Sequence, residues 1–347
     1  MWRSAERSSG DAGTKGRVSD PRTMPDDSQL DLEVAELLKL ADARPQPPTY
    51  ALSVEGARQR LEDLFADQDV RDVGEVEEFP IQGPGGAIQT RLYLPEESHL
   101  ATDAGLPGLV FYHGGGWTVG DLDTHDNVCR ALVDEAGLAV LSVDYRLGPE
   151  DPFPAALNDA YAAYEWARDY GAHVGIDPSL VAVGGDSAGG NLAAAVSLYA
   201  RDERDVGADV TVPDYQLLIY PAVSSKDLHD FESYRENAEG YLLEEESSVW
   251  YYDKYVDDSA HRRNAYLAPL LAEDFSGLPP ATVVTAGFDP LRDEGQAYAE
   301  ALAADGIAVQ HEHYPGQIHG FVSFTEFVST AEESLATMGD HLEAAFS

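Results

Sequence analysis

Residues 180–200 constrain this chain more than any other stretch. An apolar β-like run, Leu180 to Val183, passes through Gly184-Gly185-Asp186-Ser187-Ala188-Gly189 into a small-residue helix, Asn191 to Ala200. A buried strand joined to a helix through Gly-x-Ser-x-Gly has the make-up of a nucleophile elbow. The serine sits at the tip of a sharp turn, and a glycine two residues to either side lets the backbone close without a Cβ in the way. The pattern carries little weight by itself; the strand before it and the helix after it give it meaning.

A second glycine cluster, Tyr112-His113-Gly114-Gly115-Gly116-Trp117, follows the apolar run Leu109-Val110-Phe111. A serine attacking a carbonyl builds negative charge on the carbonyl oxygen. Backbone N–H groups aimed at that oxygen stabilise it, and glycine lets them approach closely. The N–H of Ala188, next to the serine, is the expected further donor. A phosphate-cradling loop is excluded by spacing: Val119 stands where the third glycine of G-x-G-x-x-G would follow Gly114 and Gly116, and Asp186 where the second would follow Gly184.

Such chemistry needs an acid and then a histidine further along. Ala281–Ala286 is a buried-strand candidate ending in Gly287-Phe288-Asp289-Pro290-Leu291-Arg292-Asp293-Glu294, and Ile307–Tyr314 is another, closed by Pro315-Gly316-Gln317-Ile318-His319-Gly320-Phe321. Asp289 and His319 thus fall just beyond the carboxyl ends of strands, where open α/β sheets gather their reactive groups. Taken singly, Asp289 reads first as a cap for a helix opened by Pro290, and His319 as a satisfied loop histidine. Their order after Ser187 makes them a triad.

HGGGW at 113–117, GDSAGGN at 185–191, DPLRDE at 289–294 and IHGF at 318–321 together resemble the hormone-sensitive-lipase-like carboxylesterases, a branch of the α/β-hydrolases. Val143-Asp144-Tyr145-Arg146-Leu147-Gly148-Pro149-Glu150 also resembles that family's strand-plus-turn signature, with Gly148 where alanine is usual. The similarity runs from about Glu75 to the C-terminus. It implies an esterase with Ser187, Asp289 and His319 as triad and Gly114, Gly115, Gly116 and Ala188 as oxyanion hole. Gly115, Gly116 and Ala188 would donate, while Gly114 and His113 shape the loop. It further implies soluble short-to-medium acyl esters as substrates and no cofactor or metal. An amidase, peptidase or sugar-ester deacetylase on the same fold is the alternative, and a non-catalytic ligand-binding relative is a remoter one.

The expected fold class is α/β: a mostly parallel eight-stranded sheet flanked by helices, with a helical cap. Strands are expected near 76–81, 89–94, 108–113, 139–144, 180–184, 216–220, 281–286 and 307–313, with the first two joined as an antiparallel edge hairpin at Gln82–Gly86. Helices are expected near 125–136, 154–171, 189–203, 291–304 and 326–345, an alternation that calls for a sheet covered on both faces. Amphipathic stripes predict two further helices, Leu30–Ala41 (Leu30, Val34, Leu37, Leu38) and Val54–Ala66 (Leu61, Leu64, Phe65). The expected organisation is a core of 75–222 and 267–347, N-terminal cap helices at 24–74, and a cap insertion at 223–266. Within the insertion Tyr241-Leu242-Leu243 and Trp250-Tyr251-Tyr252 are candidates to wall an acyl pocket. Cys129 is the sole cysteine and reads as a small buried residue. His311 and His313 alternate on an exposed strand face rather than forming a metal site.

Charge is the second strong signal. Asp and Glu total 63 against 22 Lys and Arg, a net charge of −41. A surface of that sign repels nucleic acid and anionic lipid, and no apolar run is long enough to span a membrane. The acids are spread along the chain, which argues against disorder. The composition resembles that of haloarchaeal proteins, which work in molar salt; an ordinary acidic mesophilic enzyme is the alternative. Residues 1–23 break the pattern with basic, Ser- and Gly-rich sequence, read as a disordered tail or a mis-assigned start before Met24. They hold no secretory core, so a cytoplasmic location is expected. A small-molecule ester is the expected partner, with a homodimer left open.

Overall fold

The computed structural model describes residues 29–43, 46–66, 68–96, 105–225 and 227–347. The expectation for residues 1–23 lies outside them. The strands are β1 (Glu75–Gly83), β2 (Gly86–Leu94), β3 (Leu106–Tyr112), β4 (Ala139–Asp144), β5 (Ile176–Asp186), β6 (Gln216–Ile219), β7 (Ala281–Phe288) and β8 (Val309–Ile318). They form one eight-stranded sheet in the order β1-β2-β4-β3-β5-β6-β7-β8. β2 is antiparallel to both β1 and β4, and every other pair is parallel. The hairpin expected at the edge is therefore present, its turn closing between Gly83 and Gly86.

The helices are α1 (Leu32–Asp42), α2 (Val54–Phe65), α3 (Asp126–Ala136), α4 (Ala155–Tyr170), α5 (Ala188–Asp205), α6 (Ser233–Glu236), α7 (Glu245–Tyr255), α8 (Arg292–Ala304) and α9 (Ser329–Ala345). Central strands are apolar along nearly their whole length because both of their faces are covered. On β3, Val110 and Tyr112 join a core with residues of α4, α5 and α8, whereas Leu109 and Phe111 join a second core with α3 and α9. Alternation of side chains along a strand thus feeds two apolar layers. β1 and β8, at the sheet edges, expose many of their side chains.

β5 starts four residues before its expected beginning, and β8 runs to Ile318 rather than stopping at 313. Both extensions pair with a neighbouring strand, Ile176 with Leu106 and Ile318 with Phe288. The second delivers His319 directly off a strand end. α1 is capped by Asp31, whose carboxylate accepts the Glu33 N–H at 2.9 Å, and α2 by Ser53, which accepts the Gly56 N–H at 3.1 Å. The stripe on α1 is correct at its centre, where Val34 is fully buried. The stripe on α2 is wrong at one position: Leu64 is 52% exposed and Ala57 takes the buried place. No helix among the described residues is long and apolar enough to cross a membrane.

Candidate active site

Ser187 stands between β5 and α5 with φ 55° and ψ −113°, a conformation costly for a residue with a Cβ. Its backbone is tied on both sides: the N–H donates to the Ile219 carbonyl at 2.8 Å, and the carbonyl accepts from Asn191 and Ala222 at 3.0 and 3.1 Å. The flanking glycines have a steric reason. A methyl at Gly185 or Gly189 would overlap the Tyr112 carbonyl at the end of β3, so the elbow closes only where Cβ is missing.

β7 and β8 bring the other two groups. His319 Nε2 lies 2.9 Å from Ser187 Oγ, and His319 Nδ1 lies 2.7 Å from Asp289 Oδ2. A carboxylate accepts only, so the proton sits on Nδ1 and leaves the Nε2 lone pair facing the serine hydroxyl. Asp289 is fully buried. Its second oxygen accepts the Leu291 N–H at 2.8 Å and so holds the carboxylate in place. Asn237, from the segment after α6, donates to the Asp289 carbonyl at 3.0 Å. The rival acid, Asp293, is engaged elsewhere: it pairs with Arg292 at 2.7 Å and accepts the Ser233 N–H at 2.9 Å.

The glycine cluster lies beside the serine. Gly115 and Gly116 have φ 117° and 57°, and Trp117 follows with φ 56°. No acceptor among the described residues takes the Gly115 or Gly116 N–H, and Ala188, as first residue of α5, has no intrahelical acceptor for its own. Gly114 differs: its N–H donates to Asp186 Oδ1 at 2.8 Å, so it shapes the loop and is not free to donate to a substrate. His125 Nε2 also reaches Asp186 Oδ1, at 3.2 Å. Burial pushes the Asp186 carboxyl up, but its interactions with His125, together with His113 and His319, outweigh that and hold it below its ordinary value. His113 lies stacked on Tyr145 and is pushed down to about 4, chiefly by burial and then by His125, so it is neutral.

Segments expected to form a cap crowd this loop. The Tyr251 ring lies against Gly116, where any Cβ would overlap it. Trp117 stacks on Tyr255 (ring centroids 4.9 Å apart) and meets Tyr252 edge-on at 5.1 Å. From α2, Arg58 donates to the carbonyls of Thr118 at 2.9 Å and Gly148 at 3.1 Å. Gly148, the departure from the family signature, has a local use, because a methyl there would come within 2.8 Å of the Lys254 carbonyl at the end of α7. The aromatic group divides by role. Tyr251 faces Gly116 of the glycine cluster, whereas Tyr252 packs inward and donates to the Ser224 carbonyl, and Tyr241 packs on Phe288.

Sequence reasoning missed three residues near the site: His125 and Tyr220 lie outside the recognisable motifs, and Glu294 closes the DPLRDE motif without a role of its own. Glu294 is fully buried, accepts the Val223 and Ser224 N–H groups at 2.7 and 3.1 Å, and receives the Tyr234 hydroxyl. His311 and His313 share the Thr285 hydroxyl at 2.9 Å each, as strand-face residues. A surface groove of about 360 Å³ between the hairpin turn and α4, lined by Gln82, Leu157, Tyr161 and Tyr199 among others, includes none of Ser187, Asp289, His319 or the glycine cluster.

Comparison with known proteins bears on this geometry. A model of the alpha/beta hydrolase fold family matches residues 109–323. The chain is 46% identical over 255 residues to carboxylic ester hydrolase LipN of Mycobacterium tuberculosis, a match covering 72% of this chain and 65% of LipN, just under two thirds of that relative's length. It is 40% identical over 299 residues to esterase LipI of the same bacterium, covering 86% of this chain and 90% of LipI. Among solved structures, an ester hydrolase from the metagenome of Lake Arreo, complexed with a bipyridine phosphonate derivative, superposes with a TM-score of 0.84 at 41% identity. The superposition covers 91% of this chain and 99% of that one.

Proposed function

The chain belongs to the α/β-hydrolase fold family and is a carboxylic ester hydrolase, and from that premise we propose that Ser187, His319 and Asp289 carry its reaction. His319 Nε2 takes the serine proton as Oγ attacks the ester carbonyl, and Asp289 holds the Nδ1–H tautomer and stabilises the imidazolium. The N–H groups of Gly115, Gly116 and Ala188 receive the oxyanion. The imidazolium then gives its proton to the departing alcohol. Water, deprotonated by His319, attacks the acyl-serine; the C–Oγ bond breaks, the imidazolium returns its proton to Oγ, and the acid is released. The observation that supports this most is one imidazole bridging Ser187 Oγ and Asp289 Oδ2 across the ends of three strands.

The described residues of 24–74 and 223–266 act as the cap. The turn at Thr49–Ala51 packs on α7, and Tyr251 of α7 closes over Gly116. A site roofed this closely favours small soluble esters of short-to-medium acyl chain over emulsified fat. The net charge of −41 suits the enzyme to high salt. A p-nitrophenyl alkylphosphonate ester, attacked at phosphorus by a nucleophilic serine with loss of p-nitrophenolate, should inactivate the enzyme and add the mass of the phosphonyl group to the peptide carrying Ser187. Ser187→Ala should stay folded, take no label and lose about 10⁴–10⁶ in turnover. Labelling elsewhere, or a Ser187→Ala variant within tenfold of the parent, would refute the assignment. Aryl esters of graded acyl length with matched aryl amides, assayed in high salt, separate esterase from amidase.

A further inference from the structure

The triad reading accounts for two side chains beside the imidazole of His319, Ser187 and Asp289, but a third group packs against the ring. Tyr220, directly after β6, places its ring centroid 4.6 Å from that of His319 at a 53° tilt. Phe321 lies beyond it at 6.1 Å, and Tyr220 is only 1% exposed. Its backbone is unusual for an aromatic residue: φ is 33°, in the region that favours glycine. The next residue is Pro221, which further restricts Tyr220. Surrounding bonds hold it there. The Tyr220 N–H donates to the Val284 carbonyl at 2.8 Å, and two residues on, Ala222 donates to Ser187 at 3.1 Å. A bulky residue kept in this conformation beside a reacting group is the pattern of strain retained for function.

Resting on the triad reading, we infer that Tyr220 is a positioning residue that acts through His319: its ring keeps the imidazole between Ser187 and Asp289 and stabilises the imidazolium formed during catalysis. An aromatic face within about 6 Å of a cation attracts it through the ring quadrupole, more strongly where water is excluded. The other groups facing the imidazole are Asp289 from the end of β7 and, from the β5–α5 elbow, Ser187 and Asp186. Burial, then Asp186 and Asp289, push the Tyr220 phenol well up, so it stays neutral. An aliphatic side chain of equal bulk could support the ring sterically but would give nothing to its charged form. That difference is what an experiment can read.

Tyr220→Phe, Tyr220→Leu and Tyr220→Met should be compared with the parent for kcat and KM on one aryl ester across pH. Tyr220→Phe retains the ring face and should stay within about threefold of the parent, while the aliphatic variants should lose about 3- to 30-fold in kcat with KM little changed. Because the ring favours the charged imidazole, its loss should also move the acidic limb of the kcat/KM profile to lower pH, by about half a unit to one unit. Pentafluorophenylalanine incorporated at position 220 keeps the shape while reversing the quadrupole, so it tests the idea even if neither aliphatic variant folds. It should behave as the aliphatic variants do. A fluorinated ring indistinguishable from phenylalanine, or aliphatic variants whose acidic limb coincides with the parent's, would overturn the inference. His319→Ala run alongside separates the two readings, because full activity there would overturn the triad itself.

Discussion

Replacing Glu294 with glutamine should stabilise this protein at neutral pH, and the size of the effect follows from where the carboxyl sits. Glu294 is the third residue of α8, fully buried, and joins the helix to the Val223–Ser224 backbone through two accepted hydrogen bonds. Burial raises its pKa from the ordinary 4.5 to about 7; Tyr234 and the Ser224 and Val223 N–H groups lower it, but not enough, and the Asp289 charge adds to the rise. Between those values the folded chain holds a proton that the unfolded chain has released. Stability therefore falls as pH rises through that window and levels off above it. At about 1.4 kcal/mol per pH unit, the ionised carboxylate costs the fold about 3 kcal/mol at pH 8 relative to its protonated form. Glutamine matches the shape, keeps one oxygen for the two N–H groups and does not titrate. Urea unfolding of parent and Glu294→Gln, at fixed high salt and at pH 5 and pH 8, gives the comparison. The stability difference between the two proteins should move by about 2–3 kcal/mol in favour of Glu294→Gln on going from pH 5 to pH 8. This difference of differences cancels any constant cost of the amide and all titrations the proteins share. A gap between them that stays the same at both pH values would refute the reasoning.

Asp289→Asn should leave the fold intact and cut turnover by a factor on the order of 10⁴, because an amide facing Nδ1 favours the wrong histidine tautomer. Asp293→Asn should be far milder in turnover, since that carboxylate serves Arg292 and Ser233; the reversed result in steady-state assays would show that the acid is misplaced. Salt should act on the fold before the chemistry. The few cations are shared among several acids, Arg71 with Asp134, Glu135 and Glu332, and Arg91 with Glu78, Asp123 and Asp126, while the remaining carboxylates repel over a screening length that grows from about 3 Å at 1 M to about 10 Å at 0.1 M. Activity and melting temperature in KCl from 0.1 M to 4 M should both fall at the low end, activity first as the proposed cap segments loosen; a protein equally active and stable throughout would remove the halophilic reading.

Sequence alone determined what depends on neighbours along the chain. The apolar runs of β3 to β7 announced a sheet covered on both faces. Gly185 and Gly189 announced the elbow because no other residue lacks the Cβ that would strike the Tyr112 carbonyl. Ser187 and Asp289 were legible because each follows a strand that the pattern located, and His319 from the Ile-His-Gly-Phe motif, although the strand that delivers it runs five residues past its expected end. Tertiary structure alone decided the rest. Asp289 and Asp293 fall in one short motif, and only the parallel register of β7 and β8, with His319 directly after the paired Ile318, selects which carboxylate meets the imidazole. Tyr251 and Tyr252 are adjacent in sequence, yet helical rotation sends one against Gly116 and the other inward to Ser224. Asp186 reaches Gly114 across 72 residues, and Tyr220 finds His319 only because β6 and the turn after β8 converge. Local sterics and periodicity act over a few residues and can be read from the order of side chains. The direction a side chain finally takes depends on what packs against it from elsewhere in the chain, and only the folded chain brings those partners together.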